Sequence, residues 1–589
     1  MTTISTRSLT TARGFLPYLV LFLSVSACAA TMVDSPEIGI PYLYKGLITW
    51  AFFWAFLDAF TIGANDIANA FANAVGAKTI SFRTAVLIAC VCELVGVIAL
   101  GSTVTDAVRN KMVKVDWFKH DPYILSLGMS CVNLGSGGWV FVATTLSMPV
   151  STTHSVVGAI LGIGVASWGA SGVNWGYDGG FGGIVASWFI SPVLSGVLSA
   201  IFYLSTKFLV LKHPDDVAVK RGIALLPVYF FFAFGVVAGF MVMKGIPALK
   251  NTPYEITVPV TFGIAIFFGI VGYIFCVPWT RRAIVDNENL PWYTLFYIFA
   301  IPVGSRGYNE ENNVQDQNKV DLVETGNFNQ NMPQPSMYFN QAPMMPGQAP
   351  MMVQGSYFGK DEIEDKPQSD GITTTVLKTL FPGFYMDVGG LKEEDAAMHA
   401  KAFQAYSKTE EMFKILQLTT CCFFSIAHGA NDVANAIAPF ATVWMVYSTG
   451  TVSSKAEVPI WLLVYGGLAI DLGLLSMGYY IMDALGNRLT LQSPSRGFCI
   501  ELGAMFTVMT FSRLGVPVST THCISGATTA VGLCNGDVGA VNWKLIGIIF
   551  GGWILTCPCA GIVTGLLYWA VAAAPSPVAG NGFFTGYHG

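Results

Sequence analysis

Two short motifs set oxygen-bearing side chains inside strongly apolar sequence, and each occurs twice. Gly63-Ala64-Asn65-Asp66-Ile67-Ala68-Asn69-Ala70 returns as Gly429-Ala430-Asn431-Asp432-Val433-Ala434-Asn435-Ala436, with a single change, Ile67 for Val433. Pro149-Val150-Ser151-Thr152-Thr153-His154 returns unchanged as Pro517-Val518-Ser519-Thr520-Thr521-His522. Asp66 precedes Ser151 by 85 positions and Asp432 precedes Ser519 by 87, so the order and spacing repeat too.

The first motif has the chemistry of a cation site. On a helix, Asp66 lies three residues from Asn69, and Asn65 four, so their oxygens are expected to share one side; Asn431, Asp432 and Asn435 repeat the pattern. A carboxylate with amide and carbonyl oxygens suits a small hard cation, which leaves sodium or a proton. Asn and Asp could instead bond helices together, but the carboxylate is kept in both copies. The second motif has the chemistry of an anion site. Pro is tolerated at a helix start and Ser or Thr caps it. Helix starts at Ser151-Thr152-Thr153 and Ser519-Thr520-Thr521 would present N–H groups, hydroxyls and positive dipole ends to one tetrahedral oxyanion. Capping alone is the plainer reading, and the two are compatible. His154 and His522 follow the hydroxyls and are read as hydrogen-bonding groups, since no other metal ligand stands at a usable spacing.

The elements that position these motifs are membrane segments. The chain has 589 residues, 53% hydrophobic and 11% charged, with a mean hydropathy of +0.55; a soluble domain carries about 25% charged residues. Apolar segments near the ~20 residues needed to span a bilayer occur at 43–62, 84–103, 181–206, 223–243, 257–279, 412–427, 459–482 and 546–573. Two longer stretches, 124–166 and 498–534, have room to cross twice and are each broken at Pro-Val-Ser-Thr-Thr-His. Their only Lys or Arg is Arg513, so a buried oxyanion would be balanced by bound cations, and each ion lowers the other's burial cost. Duplicated halves with polar interruptions at matching places are the pattern of a secondary transporter built on internal repeats.

The remaining features bound the architecture. Residues 1–30 (Arg7, Arg13, an apolar run, then Ser26-Ala27-Cys28-Ala29-Ala30) read as a signal peptide or signal anchor. Lys and Arg clusters at Lys207–Arg221, Arg281-Arg282 and Arg488–Arg496 mark cytoplasmic loops. The basic loop Arg109–Lys119 falls outside in this scheme and could attract an anion. Counting crossings puts the two halves in opposite orientations. The first half covers 43–280 and the second 412–573; 281–411 forms a cytoplasmic central loop, disordered at 303–370, and 574–589 an external tail. Glu393 to Lys414 reads as an interfacial helix leading into the second half. The net charge of −5 is spread over loops and implies no nucleic-acid partner. Most of the twelve cysteines sit in apolar segments as small hydrophobes. Cys557-Pro558-Cys559 resembles a heavy-metal pump motif, but the chain has no Walker-type loop or Asp-Lys-Thr-Gly sequence, so a Pro-kinked helix is expected.

At the duplicated motifs the chain resembles the inorganic phosphate transporter family of sodium-coupled phosphate symporters, which includes fungal permeases and animal type III carriers. The resemblance implies an all-α membrane protein with twelve membrane segments counting two re-entrant hairpins, inverted repeats, a cytoplasmic central loop and a homodimer; the plasma membrane is the expected location, and the signal-like segment and the Lys- and Arg-free tail put both termini outside. It implies sodium ligands at Asp66, Asn69, Asp432 and Asn435, phosphate contacts at Ser151, Thr152, Thr153, Ser519, Thr520 and Thr521, and functionally sensitive positions at Glu93, Glu501 and His428. It implies no enzymatic activity and no cofactor beyond co-transported sodium. Proton coupling, or another oxyanion such as sulfate, is the alternative. A membrane hydrolase using Ser151 or Ser519 fits poorly, because a nucleophile is needed once and this constellation is symmetric. Asn73 faces Pro439 in the second copy, so the two cation sites need not be equivalent, and Asp471 is an unexplained carboxylate in an apolar segment.

Overall fold

A computed structural model describes residues 42–101, 115–119, 121–177, 180–240, 242, 252–304, 378, 381, 384, 393–452, 458–514 and 518–573. The expected signal segment at 1–30, the 303–370 tract beyond residue 304 and residues 574–589 lie outside the described residues.

The described chain is helical, and nine of its helices are long and apolar enough to cross a membrane. The first copy comprises α1 (Tyr42–Asp66) and its continuation α2 (Ala68–Gly76), α3 (Phe82–Leu100), α4 (Pro122–Thr145), α5 (Thr152–Trp168) and α6 (Phe181–Thr206). Two further helices follow, α7 (Asp215–Phe240) and α8 (Tyr254–Val271), the latter continuing helically to Val285. The second copy comprises α9 (Glu393–His399), α10 (Ser407–Thr449), α11 (Ile460–Met477), α12 (Tyr479–Leu485), α13 (Pro494–Leu514), α14 (Thr520–Leu533) and α15 (Trp543–Ala573).

The apolar segments read from the sequence match helices, with two differences. The 412–427 segment is part of α10, which runs unbroken for 43 residues through the motif and past Pro439. The helix expected from Glu393 to Lys414 is interrupted at 400–406, because the backbone there bonds elsewhere: Phe403 N–H donates to Asn535 Oδ1 at 3.2 Å, and Arg496 donates to the Phe403 carbonyl.

The copies are woven together. α1 packs on α4 and α10 on α13, within each copy; α1 also packs on α11, α10 on α3, α5 on α15 and α14 on α6, across copies. Glycines set the spacing of these reciprocal contacts. A Cβ on Gly63 would stand 1.8 Å from the Ile470 carbonyl oxygen, and one on Gly473 1.8 Å from that of Phe60, at the α1–α11 crossing. The α3–α10 crossing has the matching pair, Gly96 against Ile426 and Gly429 against Glu93, at 2.1 and 2.4 Å. Such close backbone approach is how helices associate in lipid, where the hydrophobic effect gives no drive between them.

The same reasoning explains Cys557-Pro558-Cys559. Pro558 lies inside α15 as Pro192 lies inside α6, and Gly158 of α5 packs on the Cys557 carbonyl as Gly526 of α14 packs on that of Pro192, each at 2.3 Å to a built Cβ. The motif is one member of a symmetric packing pair. The described cysteines are free thiols, buried or half-buried.

Candidate functional site

Both hairpins break where expected. α4 ends at Thr145, the chain turns through Ser147 with a φ of 55°, and α5 starts at Thr152. α14 likewise starts at Thr520; residues 515–517 of that turn lie outside the described set. Ser151 and Ser519 are the N-caps, each accepting at Oγ from the N–H three residues on, His154 and His522, at 3.2 Å. The first turns of both helices therefore open toward the same place, with Thr152, Thr153, Thr520 and Thr521 wholly buried around it.

Asp66 and Asp432 face these threonines in a crossed arrangement. Asp66 Oδ2 accepts from Thr152 Oγ1 of its own copy at 2.6 Å, while Oδ1 accepts from Thr521 Oγ1 of the other copy at 2.5 Å. Asp432 Oδ2 accepts from Thr520 of its own copy at 3.3 Å and Oδ1 from Thr153 of the other at 3.4 Å. Asn69 donates to Asp66 Oδ1 at 3.1 Å and to Thr521 Oγ1 at 3.0 Å. Asn435 donates to Asp432 Oδ1 at 3.1 Å and to Thr153 Oγ1 at 3.2 Å, with a further bond to Thr152. The two copies build one centre of two carboxylates, two amides and four hydroxyls.

The copies differ beside it. His428 bridges Glu93 Oε2, 3.0 Å from Nδ1, and Asp432 Oδ2, 2.9 Å from Nε2, and Ser425 donates to Glu93 Oε1 at 2.8 Å. Asp66, His428 and Asp432 bring ligand atoms within 4.8 Å of one another. By the motif register His428 corresponds to Ile62, and by the glycine register Glu93 corresponds to Ile470, so the α3–α10 crossing is polar where the α1–α11 crossing is apolar. Asp471 follows Ile470 on α11 and lies beside the Cys90 thiol of α3, near Glu93.

Several expected residues stand elsewhere. Asn65 does not join Asp66 and Asn69: its amide donates to Thr144 Oγ1 and the Met148 carbonyl at 2.9 and 3.1 Å and accepts from Val150 N–H at 3.0 Å, fixing the hairpin turn. Asn431 is half-buried and reaches Asp432 Oδ1 only at 3.4 Å. Glu501 sits apart on α13, accepting from Thr420 Oγ1 at 2.5 Å. His154 and His522 make ring contacts, and the His522 imidazole also lies against the Trp188 backbone. They pack edge to face on each other at 4.5 Å, with His154 against Trp188 and His522 stacked on Trp553 at 3.8 Å. Buried imidazoles between indoles behave as aromatic packing groups there. Sequence reasoning missed Ser425, Thr144, and the buried Asp58 and Asn133; the last two were legible as polar residues inside apolar segments.

Chemically, the centre can hold both charges. The carboxylate and amide oxygens suit a hard cation, and two helix N-termini with hydroxyl donors suit an oxyanion. The model of the phosphate transporter family matches residues 62–564. The phosphate-repressible phosphate permease pho-4 of Neurospora crassa is 33% identical over 89% of this chain and 96% of its own length. Sodium-dependent phosphate transporter 2 of Felis catus is 28% identical over 89% and 97%. A solved structure, described as the sodium-dependent phosphate transporter, superposes with a TM-score of 0.63 at 27% identity, covering 89% of this chain and 99% of that one. With the duplicated motifs, the crossed centre and the family match falling on the same residues, the chain belongs to the phosphate transporter family.

Proposed function

We propose that this protein is a sodium-coupled symporter of inorganic phosphate, in which the anion and its sodium ions share the centre between the repeats. The observation that carries this reading is the crossed ring of Asp66 and Asp432 with Thr152, Thr153, Thr520 and Thr521. In the proposed assignment Asp66 with Asn69, and Asp432 with Asn435, ligate sodium. The threonine hydroxyls and the first N–H groups of α5 and α14 hold phosphate oxygens, while Ser151 and Ser519 fix the helix starts. Sodium offsets the repulsion between phosphate and the two carboxylates, so neither ion binds well without the other. Linkage makes that dependence reciprocal.

The surrounding architecture follows the same reading. The two broken segments, α4–α5 and α13–α14, are re-entrant hairpins of a twelve-segment inverted repeat in the plasma membrane. The segment between Val285 and α9 is cytoplasmic, both termini are external, and two protomers form a dimer. No enzymatic step and no cofactor is needed. Glu93 and His428 orient Asp432, and Glu501 anchors α13 to α10.

The test is radiolabelled phosphate uptake in cells expressing the chain, with sodium exchanged for choline and, separately, with excess sulfate. Loss of uptake in choline and indifference to sulfate support the reading. Uptake that survives choline and follows a proton gradient, or that sulfate abolishes, replaces it with the alternative ion or oxyanion.

A further inference from the structure

Asp58 is a second carboxylate on α1, two turns before Asp66, which places it about 12 Å away along the helix. It is wholly buried, and neither of its oxygens accepts a hydrogen bond of normal geometry among the described residues. Opposite it, α1 and α4 run in parallel register: Asn65 meets Thr144, and Asp58 meets Gly137, where a Cβ would stand 2.8 Å from the Asp58 Cα. The Ser136 hydroxyl lies beside the Asp58 carboxylate. Asn133, one turn before Gly137 on the same side of α4, is wholly buried with both amide atoms unbonded.

The repeat supplies an internal control. In the second copy Asp58 and Ser136 correspond to Phe424 and Ala504, both buried and apolar. The α10–α13 contact therefore packs at the Phe424–Ala504 position without a polar pair, its nearest polar bond lying about one turn away between Thr420 and Glu501. An ionised carboxylate in such surroundings costs several kcal/mol unless a positive charge accompanies it. Asn133 corresponds to Glu501, which is held by Thr420; Asn133 has no such partner among the described residues.

We infer that Asp58, with Ser136 and Asn133, binds an additional sodium ion, separate from the Asp66–Asp432 centre. The donors are a carboxylate, a hydroxyl and an amide oxygen, all hard, on two helices held in fixed register by the Asn65 bonds to the hairpin turn. α1 carries both Asp58 and Asp66, so this ion is coupled to the phosphate centre through a single helix. The inference rests on the sodium-coupled reading above and adds one ion to it.

The experiment uses the full chain, purified and reconstituted, in parent, Asp58→Asn and Ser136→Ala forms. Phosphate uptake and sodium-induced thermal stabilisation without phosphate are followed across a sodium titration at constant ionic strength with choline. Ser136→Ala copies the second repeat and keeps the packing, so it reports even where Asp58→Asn folds poorly. The expected result is a sodium half-saturation raised several-fold with reduced steepness in Asp58→Asn, and a smaller shift in the same direction in Ser136→Ala, in both readouts. Variants that follow the parent's sodium curves overturn the Asp58 site, as does an Asp58→Asn protein whose only change is in pH dependence, which would make the occupant a proton. A parent protein indifferent to sodium would overturn the symport reading itself.

Discussion

Thr521 Oγ1 donates to Asp66 Oδ1 at 2.5 Å, joining the hairpin of the second repeat to the motif helix of the first. The mirror contact, Thr153 to Asp432, makes the exchange reciprocal. Neither half of the chain can assemble the centre alone. A movement that separates the repeats must also break the hydrogen bonds that hold both carboxylates.

Removing one hydroxyl tests the anion half of this centre. Thr152→Val and Thr520→Val keep the side-chain shape and delete a donor to a charged group, a loss of about 1.5–3 kcal/mol. Phosphate half-saturation should rise about tenfold or more, with a smaller change in the sodium requirement. Unchanged half-saturation in both variants would place the anion elsewhere.

The polar α3–α10 crossing and its apolar counterpart allow a stability test. His428→Ile alone leaves Glu93 buried without its imidazole partner, a class of change that costs about 3–5 kcal/mol. Glu93→Ile with His428→Ile recreates the Ile470–Ile62 pairing of the other crossing. The purified double variant should melt closer to the parent than the single His428→Ile protein does, even though transport suffers. Additive losses in a double-mutant cycle would argue that the two side chains are energetically independent.

Glycine contacts predict which helix positions tolerate a methyl group. Gly63→Ala and Gly473→Ala each drive a Cβ into a backbone carbonyl at 1.8 Å, whereas Gly46→Ala, on the same α1 as Gly63, meets nothing within 4 Å. The first two should lose folded protein at the cell surface, by more than the ~1–3 kcal/mol of ordinary overpacking. Gly46→Ala should match the parent. Normal surface levels of Gly63→Ala would show that α1 and α11 can part without harm.

The central loop should be dispensable for the transport step. Its 303–370 stretch is polar, acidic and Pro-rich, and the crossed centre draws no residue from it. Shortening 310–365 should leave uptake at low phosphate near the parent's level when surface expression is matched. A loss of affinity in a correctly localised deletion would make the loop part of the transport machinery.

Much of this was legible in the sequence because polar residues in apolar segments are costly and therefore informative. Asp66, Asn69, Thr152 and their repeats announced the centre, and Ser151 announced a helix start. The crossing of partners between copies was not legible, since spacing within a motif says nothing about which hairpin faces which helix. Asn65 illustrates the limit of periodicity: one residue from Asp66, it points to the hairpin turn, because the α1 register carries it toward Thr144. His154 and His522 read as hydrogen-bonding groups from their neighbours in sequence, and only the tertiary structure shows that their rings also pack against Trp188 and Trp553. Asp58 is a lone carboxylate in an apolar segment with no motif around it, and its setting shows only in the α1–α4 packing.

The central claim is that each motif aspartate ligates a sodium ion on which phosphate binding depends. Asp66→Asn and Asp432→Asn keep the size and one oxygen but remove the charge, and the direct measurement is phosphate uptake by the reconstituted variants across a sodium titration. The account predicts a strongly raised sodium half-saturation for both, a secondary fall in phosphate affinity that added sodium partly restores, and unequal severity, because only Asp432 is backed by His428 and Glu93. Transport by either variant with the parent's sodium dependence would contradict it, and would leave that aspartate as a bond between helices.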